Sequence, residues 1–579
     1  MMANDVPAGE SFLPQPPTNT LNRSNDADAP FDWNSIADRQ PINFRQLLLL
    51  LFWTALADLL IFRTLGLTGP AAFFFVTPLL FLAHHYLCAN SNDGNPTTDN
   101  ARKPSTVAIV VVVGLLWLVA LRMIWLGTGL NVFSGMVLLI ALAMTSCGHL
   151  PLVLEGAVYA ARVGLDGLLR ITGNRSRIEP PRPVAVASQD SAENNIETLG
   201  ENATWTTGSW LMPIAAALVF GGIFVMANPD LLNLVSEKWS RGWEIAWNWI
   251  SGLSAWEIPF CLCAFVLGAG LLMPVLPIPK FGPSQSFVDI TGDSQQSATY
   301  AAFRNTLCTL IVLFGVYLAF EFYTLWRQAF PDGFYYAGYA HQGAAWLTFA
   351  LALATGLLSA VFSGKILQDP RLSSLRSLSW IWSAQNFLLA AAVYNRLMIY
   401  VGYNGMTRMR TIGFFGITVV VIGFVLVLYK IARNRSFWWL IRAQLIALVL
   451  TVIAYGLFPV DWVAHRYNAN RVVDGYLHPS VMIAVKPIDN EGLGSLLSLT
   501  QVDDRVIREG VLAILADRQL KIENESQEAL WHWTKYQAST SSLYEKLSAN
   551  QTQWSNYLKN PKARREAIVD FRNYAMQWY

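Results

Sequence analysis

Long runs of apolar residues are the feature that most restricts how this chain can fold. A transmembrane helix needs about 20 mostly apolar residues, because a rise of about 1.5 Å per residue must cross roughly 30 Å of hydrocarbon without water to satisfy the backbone. The runs are apolar all round instead of alternating, which disfavours β-strands. Eleven runs qualify, over residues 46–63, 66–87, 105–126, 129–150, 209–228, 257–277, 304–326, 343–363, 378–400, 411–431 and 437–458.

The charge content divides the chain into two parts. Charged residues make up 14% of the chain, against roughly 25% in an ordinary soluble domain. Residues 459–579 alone hold 14 basic and 14 acidic side chains, a soluble composition. We therefore predict an all-α integral membrane protein with about eleven transmembrane helices and a small C-terminal helical soluble domain. The same composition disfavours a disulfide scaffold, a nucleic-acid-binding protein and a disordered chain. The lipid bilayer is therefore the partner that the composition predicts.

Composition and proline positions predict five segments. A polar N-terminal tail covers residues 1–45, and the first four transmembrane helices occupy 46–170. A polar linker over 171–207 contains three prolines and separates them from seven further helices within 208–458. Near 229–252, Trp239, Trp243 and Trp247 recur every fourth residue beside basic residues, which predicts an interfacial helix. The C-terminal helical domain is residues 459–579.

Capping residues and apolar stripes predict the helices of the C-terminal domain. Asn560 followed by Pro561 is typical of a helix start, and Asp503 and Asp504 precede another apolar run. A third stripe consists of Leu543, Leu547, Trp554 and Leu558. We expect about four helices, which bury enough surface to fold alone or to dock on the membrane part and offer a site for a protein partner.

The distribution of Lys and Arg between alternate loops predicts the orientation. With a cytoplasmic N-terminus, the loops on the inside hold 18 basic residues and those on the outside hold 8. Positively charged loops resist translocation, so this arrangement is favoured. An odd number of spans then places the C-terminal domain outside the cytoplasm, in a multi-pass protein of the cell membrane.

Three polar blocks interrupt the second half of the chain and carry a family resemblance. Their sequences are YAGYAHQG at 336–343, YNRLMIYVGYNGMTRMR at 394–410 and FPVDWVAHRYNANRV at 458–472, with YLHPSVMIAVKP shortly after. Together they resemble the bacterial multi-pass membrane proteins grouped as domain of unknown function 4153 or 4173, over roughly residues 300–530. The matching positions are Tyr336, Tyr339, Gly343, Met398, Tyr403, Gly405, Thr407, Arg410, Asp461, Ala464 and Asn468. The sequence departs from the family pattern at His341, where the family has Arg, and at the inserted Asn404. The resemblance implies a membrane fold and no particular activity.

The candidate site follows from the position of these blocks. All of them fall at helix ends on the predicted outer side, where ionisable groups are costly unless they are paired or face water. The candidate residues for an anion or lipid headgroup are Arg396, Arg408, Arg410, His341, Glu321, Asp461 and His465. The alternative, which we favour, is that these charges pair to hold the helices and the C-terminal domain together.

Motifs for catalysis or cofactor binding do not appear in the sequence. It contains no HExxH, G-x-S-x-G or Walker A string, so we predict no catalytic residue and no cofactor. His84, His85 and Cys88 end one helix and Cys147 and His149 end another, but this is not a standard metal spacing. We therefore interpret them as interfacial histidines and packed thiols and predict no metal.

Two functions from different classes remain open. The first is a non-enzymatic membrane protein that presents its C-terminal domain as a sensor, scaffold or envelope-assembly component. The second is a secondary transporter or lipid-handling protein with a cavity among the last five helices, which would need polar groups at the midplane. Asn386, Arg442 and Glu321 are the residues expected to line such a cavity. An enzyme that uses Asp461 and His465 is a third, weaker alternative.

Overall fold

The protein is described by a computed structural model. It describes residues 42, 44–89, 105–172, 254, 256–274, 293–323, 336–361, 372–433, 435–529 and 533–578. Throughout these ranges the secondary structure is helical and contains no β-strand. This agrees with an all-α protein.

The helices of the membrane part are numbered here in chain order. The first half has α1 Phe44–Ala57, extended by a π-helical turn Asp58–Phe62, then α2 Thr68–Ala89, α3 Thr106–Leu126, α4 Gly129–Ser146, α5 Val153–Thr172 and α6 Glu257–Leu272. The second half has α7 Asp293–Glu321, α8 Tyr336–Val361, α9 Leu372–Asn404, α10 Arg408–Arg433 and α11 Phe437–Leu457.

Six helices in the described ranges are long and apolar enough to cross a membrane. These spans are Phe44–Phe62, Thr106–Leu126, Gly129–Ser146, Tyr300–Glu321, Arg408–Arg433 and Phe437–Leu457. Shorter apolar helices occupy Thr68–His84, Glu257–Leu272 and Trp346–Leu358. A multi-pass membrane protein is consistent with these helices, while the number eleven stays a prediction. Several predicted segments lie outside the described residues: the span 209–228, the interfacial helix near 229–252, nearly all of the linker 171–207 and nearly all of the N-terminal tail 1–45. The first two residues of that linker are the last two of α5.

Helix α5 is the main element that the apolar runs do not predict. It contains four charged residues, so its sequence lacks a long apolar run, but it packs closely along α6. The hydroxyl of Tyr159 donates to the carbonyl oxygen of Gly270 at 2.9 Å. A Cβ on Gly167 would lie 1.9 Å from the carbonyl oxygen of Val266, so only glycine permits this approach.

Two large apolar cores, with smaller clusters beside them, stabilise the described membrane part. The first unites α1 to α6 around residues such as Trp53, Leu116 and Tyr159, and it also includes Ile453 from α11. The second lies among α7 to α11 around Leu307, Trp382 and Phe424. Because α11 contributes to both cores, it joins the two groups of helices.

The helices that follow α11 form the C-terminal domain, and the first of them begins three residues after Leu457. Its helices are α12 Val460–Val473, α13 Ser480–Val485, α14 Asn490–Leu493, α15 Arg505–Ala529, α16 Ala538–Asn550, α17 Ser555–Lys559 and α18 Pro561–Ala575. Both predicted starts are confirmed: Asp504 Oδ1 accepts from the Ile507 amide at 3.0 Å, and Asn560 Oδ1 accepts from the Ala563 amide at 3.2 Å. The predicted stripe from Leu543 to Leu558 is divided, because a 3-10 turn Gln551–Trp554 ends α16.

The C-terminal domain has its own core and covers one end of the membrane helices. The core packs α15 against α18 around Val511, Leu515 and Phe571. The domain contacts the loop 63–67, the end of α3 and the turn from α9 to α10. The ends of helices that are distant in sequence are therefore brought together under one domain.

Candidate functional site

The candidate site is the junction between the C-terminal domain and the ends of the membrane helices, and Arg408 lies at its centre. Arg408, the first residue of α10, donates from Nε and Nη2 to the two carboxylate oxygens of Asp461, both at 2.6 Å. Its Nη2 also lies 2.7 Å from Oδ1 of Asp489. A bidentate guanidinium-carboxylate pair has fixed geometry, so this contact sets the position of α12 relative to α10.

Asp461 is almost fully buried, with 2% of its surface exposed. Burial raises the pKa of its carboxyl group, but hydrogen bonds from Arg408 and from the backbone N–H of Asp489 outweigh burial and lower the pKa below its usual range. The Asp489 N–H donates to Asp461 Oδ2 at 2.7 Å. Asp461 also lies in the first turn of α12, where the helix dipole favours a negative charge. The group is therefore a stable carboxylate, unsuited to act as a general acid.

The turn from α9 to α10 is bound by Asn468 of α12. Asn468 Oδ1 accepts from the Met406 N–H at 2.6 Å, and its Nδ2 donates to the Met406 carbonyl oxygen at 2.8 Å. The preceding residue, Gly405, has φ +82°, and a Cβ there would lie 2.6 Å from Asn468 Oδ1. Glycine is required both for this backbone conformation and for the close approach of the amide. The side-chain amide of Asn468 thus satisfies the backbone N–H and carbonyl oxygen of Met406, as a neighbouring backbone would.

Arg410 supports the same turn from the membrane side. Its guanidinium donates to the carbonyl oxygen of Gly405 and stacks over the ring of Tyr400, with Cζ 4.0 Å from the ring centre. The side chain is buried. Arg410 is therefore a structural part of the turn.

A second bidentate pair joins the domain to α3. Arg122 donates from Nη1 and Nη2 to the two carboxylate oxygens of Glu491, at 2.8 and 2.7 Å. The indole Nε1 of Trp125, one turn further along α3, donates to Glu491 Oε1 at 3.0 Å. Glu491 belongs to α14, so this pair and the Arg408 pair fix two different parts of the domain.

A third contact lies at the loop between α1 and α2. The Leu65 N–H donates to Thr534 Oγ1 at 3.4 Å, and the Thr68 hydroxyl donates to the carbonyl oxygen of Tyr536. A Cβ on Gly66 would lie 2.2 Å from the Thr534 carbonyl oxygen, so the backbones touch.

His465 lies one turn after Asp461 on α12 and is buried. Burial lowers its pKa to about 4, although the charge of Asp461 acts in the opposite direction and Arg408 reinforces the effect of burial. Its Nδ1 has no hydrogen-bond partner. The imidazole is therefore neutral near pH 7, and its buried position keeps it from exchanging protons rapidly with solvent.

Arg396 and Glu321 form a separate buried pair within the second group of helices. Arg396 Nε donates to Glu321 Oε1 at 2.7 Å, and Nη2 lies 2.5 Å from Oε2. The Tyr317 hydroxyl donates to Glu321 Oε2 at 2.9 Å and accepts from Arg396 Nη2 at 3.1 Å. The pair joins α7 to α9.

The structure thus distributes the predicted site residues over two sets of contacts. Arg408, Asp461, His465 and Arg410 meet at the turn beneath the C-terminal domain, whereas Arg396 and Glu321 pair with each other. His341 belongs to the first turns of α8, but its side chain lies outside the described part. Each of the three predicted arginines contacts a carboxylate or a backbone carbonyl oxygen of this chain.

Other charged and polar groups of the membrane helices also form contacts within the chain. Arg63 contacts both Asp58 and Glu257, with its Nε 2.8 Å from Asp58 Oδ2. Arg442 of α11 lies 2.6 Å from Glu155 of α5, in the first group of helices. Asn386 donates to the carbonyl oxygen of Trp382 on its own helix, among α7 to α10. Arg442 therefore pairs with the first group of helices, whereas Glu321 and Asn386 both lie in the second group.

Sequence reasoning missed several residues of the junction. In the sequence Arg122 counts only as a basic residue on the outer side, and no pattern singles out Glu491 or Asp489. Asn468 stands only among the positions that match the family pattern. One sequence signal points to the charged pairs: Arg122 lies in the last turns of the apolar run 105–126, where a cation needs a partner or an interfacial position.

The polar groups of the junction are arranged to hold the C-terminal domain on the ends of the membrane helices. Arg122 and Arg408 are held by carboxylates and Arg410 by a backbone carbonyl oxygen, the buried carboxylate of Asp461 is ionised, and the buried imidazole of His465 is neutral. Among the described residues, no group of three or more His, Cys, Asp or Glu side chains is arranged to hold a metal ion. The His85 and Cys88 side chains of the alternative metal cluster lie outside the described part.

Comparison with known proteins assigns the family. No curated protein and no solved structure matches this chain. A family model does match, over residues 106–503. The match runs from α3 through α14, and it includes both partners of the Arg122, Arg408 and Asn468 contacts. The chain belongs to the family described as a domain of unknown function, DUF4153.

Proposed function

We propose that this chain is a non-enzymatic membrane scaffold that holds its C-terminal domain in a fixed orientation on one face of the membrane, for a protein partner. The observation that carries the proposal is the set of polar contacts between the domain and the ends of the membrane helices. A flexibly tethered domain would need none of them.

The contacts support a fixed orientation because they are spread over three places. The Arg122–Glu491 pair, the Asn468–Met406 hydrogen bonds and the loop at Gly66 each constrain a different part of the domain. Three separated contacts prevent rotation as well as translation. A scaffold gains affinity from such preorganisation, because a partner then does not pay to order the domain.

The orientation of the protein is part of the proposal. The basic residues favour an N-terminus in the cytoplasm and a C-terminal domain on the opposite face. Reporter fusions at residues 190 and 570 test this, and we expect opposite sides. Both reporters on one face would contradict it.

Transport is the competing function, and the positions of the polar groups weigh against it. A transport path needs polar groups that share one cavity near the midplane. Glu321 forms an ion pair with Arg396, and Arg442 contacts Glu155 in the other group of helices. These positions favour structural pairing over a shared path.

A photo-crosslinking experiment tests the scaffold proposal. A photoreactive residue replaces Val569, which is exposed on α18, in the full-length protein in its native cells. We expect a discrete protein adduct. The matched control is Val312, which is exposed on membrane helix α7 and should give no such adduct. The absence of any protein adduct from the exposed positions of the domain, together with uptake of a solute into vesicles, would favour the transporter.

A further inference from the structure

A short aromatic segment of the C-terminal domain lies where the domain meets the loop between α1 and α2. It consists of the 3-10 turn Trp533–Lys535 and the following residue Tyr536. Thr534 is buried against the loop, whereas Trp533, Lys535 and Tyr536 are exposed. Trp533 and Tyr536 expose 57% and 51% of their residue surface.

The depth of this segment is set by its backbone contacts. The Thr534 hydroxyl and the Tyr536 carbonyl oxygen accept hydrogen bonds from Leu65 and Thr68. The loop 63–67 joins the span Phe44–Phe62 to the apolar helix Thr68–His84. A short loop between two apolar helices lies at the membrane surface, because each helix must traverse the hydrocarbon. The aromatic segment is therefore held at the same level.

The segment also lies beside a surface that faces lipid. Leu59 and Leu65, on the last turn of the first span and on the loop, expose 58% and 61% of their surface. Such side chains at a membrane helix end contact acyl chains. The aromatic segment lies beside this surface, because Thr534 accepts a hydrogen bond from the Leu65 N–H.

We propose that Trp533, Lys535 and Tyr536 form a lipid-headgroup contact of the C-terminal domain, inserted into the leaflet beside α1 and α2. Indole and phenol rings prefer the headgroup level, since each has an apolar body and a polar group that hydrogen-bonds to water or ester oxygens. The Lys535 ammonium lies between the two rings in sequence and can pair with a lipid phosphate. The domain is thus bound to the bilayer itself as well as to the helix ends.

Spin-label accessibility of the full-length protein in nanodiscs measures this insertion. The variant Trp533→Cys is labelled in a chain whose five native cysteines are replaced, and the relative access of oxygen and a water-soluble nickel chelate gives the depth. The control is Lys562→Cys on α18, where the native side chain is 87% exposed. We expect the label at 533 to favour oxygen and the label at 562 to favour nickel. Equal nickel access at both positions would overturn the proposal.

A second measurement needs no substitution. Wild-type protein in nanodiscs that contain a lipid with a photoreactive headgroup is irradiated and digested, and adducts are mapped by mass spectrometry. We expect adducts on the peptide that contains residues 533–536 and none on the peptide from α18. If residues 533–536 remain unlabelled while the ends of the membrane helices are labelled, the segment does not reach lipid. An unlabelled segment that instead crosslinks to a second protein in cells would assign the aromatic surface to a protein partner and overturn the proposal.

Discussion

Replacing Asn468 with alanine should loosen the C-terminal domain from the membrane helices. The substitution removes two hydrogen bonds to Met406 and leaves the Met406 N–H and carbonyl oxygen without their partner at a buried site. A hydrogen bond contributes about 1 kcal/mol net, and a stranded buried polar group costs about 1–3 kcal/mol. We therefore expect the free energy that holds the domain on the membrane helices to fall by about 2–4 kcal/mol, with part of the loss offset where water enters the site.

Hydrogen–deuterium exchange at a distant amide is the appropriate assay. The Asp489 N–H donates to Asp461 and makes no contact with Asn468, so its exchange reports opening of the junction as a whole. Because about 1.4 kcal/mol corresponds to a tenfold change, exchange should accelerate by about 30-fold to several hundred-fold. The matched control is Asn470→Ala, at an exposed position on the same helix, which should leave the rate unchanged.

An unchanged rate at Asp489 in Asn468→Ala would refute the reasoning. It would mean that the turn and the domain open independently and that the Asn468 hydrogen bonds are a local feature of the turn. Faster exchange in Asn470→Ala to the same extent would show instead that α12 tolerates no substitution, and the effect would not be specific.

Three further predictions concern buried charge, pH and helix packing. Arg396→Met should destabilise the membrane part by about 3–5 kcal/mol, because it leaves the buried Glu321 carboxylate without its partner. The double variant Arg396→Met with Glu321→Leu should recover most of this loss. Equal thermal stability of the single and the double variant would contradict the pairing. Because the pKa of His465 falls to about 4 in the folded protein, the unfolded chain takes up a proton first on acidification. The free energy of unfolding should then fall by about 3 kcal/mol between about pH 6.5 and about pH 4. In His465→Asn the free energy of unfolding should depend less on pH, and identical pH profiles of the two proteins would contradict this. Gly167→Ala should lower the free energy of unfolding by about 1–3 kcal/mol, because the new Cβ collides with a carbonyl oxygen of α6. Gly164→Ala is the control and should not lower it, because a Cβ there has no other atom within 4 Å.

Helices with strong local signals could be predicted from the sequence. The apolar run 437–458 becomes α11 Phe437–Leu457, and 105–126 becomes α3 with Ser105 as its N-cap. Asn560 before Pro561 marked the start of α18. In each case the signal lies within a few residues of the boundary that it determines, so no tertiary information was needed.

Helix α5 and the end of α16 could not be predicted in the same way. The charged residues of α5, such as Glu155, recur on one face of the helix and interrupt any continuous apolar run, so the run length that identifies the other membrane helices does not detect it. The stripe from Leu543 to Leu558 appears continuous, but Trp554 turns to donate its indole N–H to Gln519 at 2.8 Å. Such a contact depends on packing between distant parts of the chain.

The candidate site was predicted only in part, for a similar reason. The polar blocks identified Arg408, Asp461 and Asn468 as residues at one end of the membrane helices, and the structure brings them to one turn. The pair between Arg122 and Glu491 joins positions 369 residues apart. No local pattern specifies which carboxylate meets such an arginine.

Charge reversal across that pair tests the central claim, that the C-terminal domain is fixed to the membrane helices. The measurement is exchange at the Asp489 amide in the full-length protein, for Arg122→Glu, for Glu491→Arg and for the two combined. We predict faster exchange in each single variant, because like charges then meet at a site where the wild-type oxygens and nitrogens lie 2.7 and 2.8 Å apart, and substantial recovery in the double variant. Wild-type exchange in both single variants would show that the domain is not held at this contact and would contradict the account.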